Sequence, residues 1–319
     1  MAELKMTIQN GSKLYVPGVL EGVTWETARK SVPGKLEFTV VKDGVLDFQE
    51  GNQVKFSVDG ADLFLGYVFT KKRNSDGTIK VTAYDQLRYL KNKDTYNYKK
   101  LTAGELVRQI ARDFQLKTGV IENTGYVIKS RLEDNKTMFD IIQTALDLTL
   151  QNKKKLYVLY DDFGKLTLKD IESMCLQLLF DKNTVQDFDY TSSIDGETYN
   201  RIKLSRNNKT GGRDIYIAED SKRMGDWGVL QYFETLDENT NGKAKADALL
   251  SLYNQKTRNL SVSGALGDIR VRGGCSVGVE LELGDINLKN YMLVESVRHT
   301  FKVNEHFMDM SLRGGGTIA

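Results

Sequence analysis

His299 and His306 are the only imidazoles in the chain, and both fall in its last strand pair. Facing each other across a hairpin they could share a metal. At odd separation on one strand they would point to opposite faces. A zinc centre needs three or four ligands, and no cysteine or histidine cluster supplies the rest, so both read as structural imidazoles. Three acidic pairs have the residue type for glycoside hydrolysis, where one carboxyl is the acid and the other the base or nucleophile. They are Asp161 with Asp162, Asp187 with Asp189, and Glu280 with Glu282. Asp161 and Asp162 lie in a hairpin turn, where aspartate is expected for turn reasons. Glu280 and Glu282 alternate with Val279, Leu281 and Leu283, the pattern of a half-exposed strand. No Trp or Tyr sugar platform lies beside those two pairs. For acyl chemistry there is no Gly-x-Ser-x-Gly elbow. Cys175 sits in SMCLQLLF, an apolar setting that would raise its pKa. With the distant Cys275 it is expected to be a small buried hydrophobe in a reducing compartment. Gly273-Gly274-Cys275-Ser276-Val277-Gly278 lacks the spacing of a nucleotide fingerprint and leads into a strand. No catalytic, cofactor-binding or metal residue is assigned. A chain of this size with no catalytic set reads as a binding or structural protein, not an enzyme.

The elements that carry these residues are mostly strands. At 319 residues the chain should hold two or three domains. Residues 1–95 show short, partly alternating runs (Val54, Phe56, Val58; Ile79, Val81, Ala83), broken at Asp43-Gly44, Asp59-Gly60 and Asp76-Gly77. Closely spaced strands of this kind predict a small barrel or sandwich. Pro17 and Pro33 each neighbour a glycine and shape turns. The character changes at Leu101. Thr102-Ala103-Gly104-Glu105 is a capping box, and Leu106, Val107, Ile110 and Phe114 follow at helical spacing. A second helix is expected from Thr137, with Met138, Ile141, Ile142 and Ala145 on its apolar face. A hairpin then turns around Asp162-Phe163-Gly164. Residues 96–190 therefore read as an α+β middle domain. Strands return over 191–319, interrupted by a helix at about 243–255. The fold class is mainly β with α+β, two small β-barrels flanking the middle domain. With no Pro- or Ser-rich linker, the three parts should pack firmly.

The two ends look alike. Gly51 and Val54 match Gly274 and Val277. Each pair leads into a strand-like run, a turn, an aromatic-led strand (Tyr67-Val68; Tyr291-Met292) and a last alternating strand. Duplication would give this pattern, and so would chance likeness between antiparallel units.

Lys and Arg total 45 against 43 Asp and Glu, a formal charge of +2. That is no footprint for specific nucleic-acid binding. The basic runs Lys71-Lys72-Arg73, Lys99-Lys100 and Lys153-Lys154-Lys155 sit beside turns or element ends and read as solvated surface. MAELKMTIQNGSKLYV has no signal-peptide core, and no stretch approaches the roughly 18 apolar residues of a membrane helix. Synthesis in the bacterial host cytoplasm is expected.

VTAYDQLRYLKNKDTYNYKKLTAGELVRQIARDF (81–114), MFDIIQTALDLTLQNKKKLYVLYDDFGKLTLKD (138–170) and YMLVESVRHTFKVNEHFMDMSL (291–312) together resemble the XkdQ-like baseplate hub proteins of contractile phage tails and phage-tail-like bacteriocins. Those are related to T-even and Mu-type hubs and to the hub part of type VI spikes. The stretches are fold-level patterns and span most of the chain. The resemblance implies a homotrimer whose two tube domains per subunit make a six-fold-like ring. That ring would join a hexameric tail tube protein to a three-fold central spike protein, with baseplate wedge and tape measure proteins as further partners. It also implies a place in a virion or phage-tail-like particle, with the ring lumen as delivery channel. A tail-associated peptidoglycan hydrolase and a cell-wall-binding module are the alternatives. No lysozyme domain is evident, so hydrolytic activity is not carried over.

Overall fold

The computed structural model describes residues 3–208, 211–236, 240–282 and 287–314. The first strands follow from alternation: Val54, Phe56 and Val58 are buried, while Lys55 between the first two is exposed. The turn after them is Asp59-Gly60, with φ +49° and +78°, the double positive φ that a two-residue hairpin requires. Seven strands form this unit: β1 (Leu4–Asn10), β2 (Lys13–Tyr15), β3 (Val23–Ala28), β4 (Lys35–Val41), β5 (Gln53–Val58), β6 (Ala61–Arg73) and β7 (Thr78–Tyr84). Their inner faces enclose one core, which includes Trp25, Phe38, Phe56 and Phe64.

The middle unit holds β8 (Lys93–Leu101), α1 (Ala103–Asp113), β9 (Thr118–Ile121), β10 (Ile128–Thr137), α2 (Met138–Lys153), β11 (Tyr157–Asp161) and β12 (Leu166–Asp170). Both helix starts are as the sequence indicates. The Thr102 hydroxyl accepts the Glu105 N–H and the Glu105 carboxylate accepts the Thr102 N–H at 2.7 Å, a complete capping box. Thr137 accepts the Asp140 N–H at 3.1 Å. Leu106, Val107 and Ile110 of α1 and Met138, Ile141 and Ala145 of α2 share one core.

Next come β13 (Cys175–Asp181) and β14 (Asp187–Ser193). Read with the middle domain from sequence, they hydrogen-bond into the large sheet instead, β13 on β19 and β14 on β18. The expected single inserted helix is part of a larger insert. Its elements are β15 (Arg201–Asn207), β16 (Arg213–Glu219), α3 (Ser221–Trp227), β17 (Gln231–Thr235) and α4 (Gly242–Tyr253). The three strands form their own sheet, and α4 closes a separate core of Ile202, Leu204, Ala246 and Leu249. Last are β18 (Thr257–Leu266), β19 (Ser276–Glu282), β20 (Asn287–Lys302) and β21 (Glu305–Gly314).

The two end units are copies of one strand order. Reading across each sheet, β3-β4-β7-β6-β5-β1 corresponds to β14-β18-β21-β20-β19-β13. The match extends to single hydrogen bonds. Gly51 donates to the Val68 carbonyl and Val68 to Asn52; Gly274 donates to Val294 and Val294 to Cys275, all at 2.8 Å. Both glycines have positive φ, +87° and +98°. A bulge follows at the same place, after Val68 in β6 and after Val294 in β20. The Gly51/Val54 to Gly274/Val277 match is therefore in frame. The aromatic match is not, because Tyr67-Val68 corresponds to Leu293-Val294 and Tyr291 lies two residues earlier. The copies differ at one end, where β1 runs antiparallel to β5 but β13 runs parallel to β19.

The two units are also not separate. After its bulge, β20 leaves β19 and pairs with β3, Ser296 opposite Ala28 through Phe301 opposite Val23. One sheet of thirteen strands results.

Candidate assembly interface

The β3–β20 seam is built from side chains of both copies. Arg29, almost fully buried, makes a two-pronged pair with Glu295 at 2.9 and 2.8 Å, the geometry in which a guanidinium binds a carboxylate most specifically. Glu26 faces Arg298 directly and forms an ion pair with it. On the opposite side of the strands, Trp25 stacks on His299 with centroids 4.9 Å apart.

His299 and His306 do meet. Phe301 lies opposite His306, and His299 lies two residues along on the same face, so reversal of the chain cancels the odd separation. Nδ1 of His299 is 2.9 Å from Nε2 of His306, and Nε2 of His299 is 2.8 Å from the Val271 carbonyl. Both nitrogens of the buried ring are thus partnered within the protein. Burial holds its pKa down to about 3, and His306 is lowered by the same cause. Among the described residues no group of three or more His, Cys, Asp or Glu side chains is placed to hold a metal.

Behind the seam the three larger units converge on Arg272, in the turn before β19. Its guanidinium stacks on Tyr160 at 3.9 Å and donates to the Asp161 carbonyl at 2.8 Å. Asp85, at the end of β7, accepts N–H bonds from Gly34 and Leu87. Burial raises the pKa values of Asp85 and Asp161, and Arg272 opposes this in both. The Asp161 carboxylate itself accepts the Gly164 N–H at 2.6 Å. It is a turn and junction residue, while Asp162 is exposed. The other acidic pairs stay apart from it. Asp187 and Asp189 are exposed on β14. Glu280 is paired with Lys289 at 2.8 Å, and Glu282 is exposed. Cys275 is buried, and burial pushes its thiol up to about 11. Cys175 departs from expectation. It is exposed, because β13 alternates and turns Leu176 and Leu178 toward the core.

On the side of the large sheet away from its cores, polar side chains run unbroken across the seam. Ser261, Asp309, Ser311, Arg298, Glu26, Lys35, Glu37 and Thr82 alternate with buried neighbours on their strands. Lys35 bonds Glu26 at 3.0 Å, and Lys80 lies 3.8 Å from Glu37. Sequence reasoning missed this face and the seam. The signal in the WETAR stretch is an aromatic beside alternating charges, and its complement lies some 270 residues away in sequence.

The model of the YQBQ-like family matches residues 23–313. The chain is 32% identical over 306 residues to the phage-like element PBSX protein XkdQ of Bacillus subtilis, covering 92% of each. The chain belongs to the YQBQ-like family. The expected kinship with XkdQ-like proteins therefore holds, as does the mainly β fold class. Solved structures share the YQBQ-like fold at low identity. The 43 kDa tail protein of prophage MuSo2 from Shewanella oneidensis has a TM-score of 0.71 at 15% identity, over 97% of this chain and 98% of that one. An E. coli type VI secretion component, described as structurally similar to T4 bacteriophage tail proteins, has a TM-score of 0.58 at 12% identity, over 98% and 77%. No helix among the described residues is long and apolar enough to cross a membrane.

Proposed function

We propose that this YQBQ-like chain is the baseplate hub of a contractile injection particle. Three copies, each with two equivalent β-units, make a ring of six. That ring joins a hexameric tail tube protein to a trimeric central spike protein and lines the delivery channel. Wedge proteins and the tape measure protein are its further neighbours, and the virion or phage-tail-like particle is its destination. One observation carries the reading: the same strand order occurs twice in one subunit, and the two copies are joined edge to edge through β3 and β20. A subunit of that kind reconciles three-fold with six-fold symmetry. The polar face supports a channel wall. Its Lys35, Lys80 and Arg298 are matched by Glu26, Glu37 and Asp309, a balance that would not hold passing DNA by its phosphates. The reading assigns the chain no catalytic step, and the scattered acidic pairs do not favour the hydrolase alternative. Native mass spectrometry and light scattering, alone and with the tube and spike proteins of the same particle, test it. A trimer that caps tube ends is expected. A monomer that binds neither partner overturns it.

A further inference from the structure

The two copies differ in what their equivalent edges do. Beyond its bulge, β20 pairs on one side with β21 and on the other with β3. Beyond its bulge, β6 pairs with β7 alone among the described residues, so Thr70–Arg73 presents an open edge. The counterpart of β3 is β14, which ends the sheet and, among the described residues, pairs only with β18. One copy therefore has an acceptor edge without its strand, and the other a strand without its acceptor edge. We propose that β14 of one chain pairs antiparallel with the Thr70–Arg73 edge of β6 in a second copy of this chain, repeating the β3–β20 seam between subunits. The proposal deepens the hub reading and rests on it.

The register follows from the repeat. Trp25 stands opposite Leu36 as Tyr190 stands opposite Leu260. Val297 stands opposite Met310 as Lys71 stands opposite Val81. Transferring the seam on these equivalences sets Thr70 opposite Ser193, Lys71 opposite Ser192, Lys72 opposite Thr191 and Arg73 opposite Tyr190. The charges agree: the edge carries exposed Lys72 and Arg73, while β14 carries Asp187 and Asp189, both exposed; the Lys71 ammonium is instead held within the chain by the Phe48 carbonyl and ring. Asp189 lies diagonally across from Lys72 on the same face, within reach of a long side chain. The exposed part of the basic run, Lys72 and Arg73, is then the recognition edge. Arg29 donates its N–H to the Glu295 carbonyl at 2.8 Å, so alternation makes Glu26 and Arg298 a non-hydrogen-bonded pair. Their counterparts, Thr191 and Lys72, inherit that geometry, in which side chains approach most closely.

That pair is the test. In a Cys175→Ser background, which removes the exposed native thiol, Lys72→Cys with Thr191→Cys is oxidised mildly at a concentration where the chain assembles. Linked species should build up and close at three chains, at least tenfold above the slipped control Lys72→Cys with Ser192→Cys, whose thiols lie on opposite faces. Each single variant should stay unlinked. Independently, Lys72→Glu should weaken assembly at least tenfold, and Thr191→Lys in the same chain should restore it. Trimers that form no disulfide in this register, or link equally in the slipped one, overturn the pairing and leave the hub reading standing. A chain that stays monomeric alone and with its tube and spike partners overturns both.

Discussion

The turn before β5 and the turn before β19 are the same turn in two settings. Asn52 donates to the Gln49 carbonyl as Cys275 donates to that of Arg272, both at 3.1 Å. In the first copy Gln49 and Glu50 face solvent. In the second, Arg272 stacks on Tyr160 between two buried aspartates, and Gly273 lies against the backbone of β3. One backbone solution thus serves as an exposed loop and as the keystone of a three-way junction. The difference shows that position within the sheet, not local conformation, sets what a residue contributes to stability.

Substitutions at matched positions can break this comparison. The largest effect is expected from Arg272→Ala, which leaves Asp85 and Asp161 without their nearby cation. Removing one partner of a buried charge cluster costs about 3–5 kcal/mol, whereas Gln49→Ala should stay within about 0.5 kcal/mol. Urea unfolding of both at pH 7 checks this. The Arg272→Ala deficit should shrink toward pH 5 as the two raised-pKa carboxyls take up protons. Equal losses at the two positions would sink the comparison. Next is Gly273→Ala. A Cβ there would lie 2.4 Å from the Ala28 carbonyl carbon, and overpacking against backbone costs about 1–3 kcal/mol. Glu50→Ala, at the matched site, should be nearly silent in the same assay.

The third concerns His299, whose counterpart is the exposed Arg73. Its folded pKa, about 3, lies below the unfolded value near 6.5. The unfolded chain therefore binds a proton that the folded chain refuses. The stability linked to this ring is complete above about pH 6.5 and declines as pH falls toward 3, by about 1.4 kcal/mol per pH unit. Asp85 and Asp161 act in the opposite sense, since their raised values favour protonation in the folded state. Comparing wild type with His299→Phe cancels that contribution, and the variant should lose the imidazole's share of the slope between pH 6.5 and 5. An unchanged slope would refute the assignment. The smallest effect is at the seam's half-exposed ion pair: a double-mutant cycle on Glu26→Gln and Arg298→Gln should give a coupling below about 1 kcal/mol.

What the sequence disclosed was local. Thr102 with Glu105 and Thr137 with Asp140 mark helix starts because a cap is made within four residues. Gly51 and Gly274 stand out because both adopt a positive φ that disfavours other residues. The insert and the placement of β13 and β14 were not legible. Strands such as Asp187–Ser193 are half-exposed and polar, with no fully buried residue, so periodicity does not say which distant strand they join. The histidine contact was hidden for a related reason: a spacing of seven has no meaning until the hairpin's register is known. Cys175 was misread because an apolar neighbourhood in sequence does not tell which side of a strand a residue takes.

Arg29 and Glu295 are 266 positions apart, which makes the seam the farthest-reaching strand pairing among the described residues. Closing so long a loop from an unfolded polymer carries an entropic cost that local hairpins such as β5–β6 avoid. Once the middle unit and insert have folded, the effective concentration of β3 near β20 rises to that of tethered partners. The seam should thus be the last intrachain contact to form. In hydrogen exchange during refolding, the amides of Val23, Trp25, Thr27 and Arg29, which alternation turns toward β20, should gain protection after those of β5 through β7, so that a subunit becomes fit to assemble only when its folding is complete.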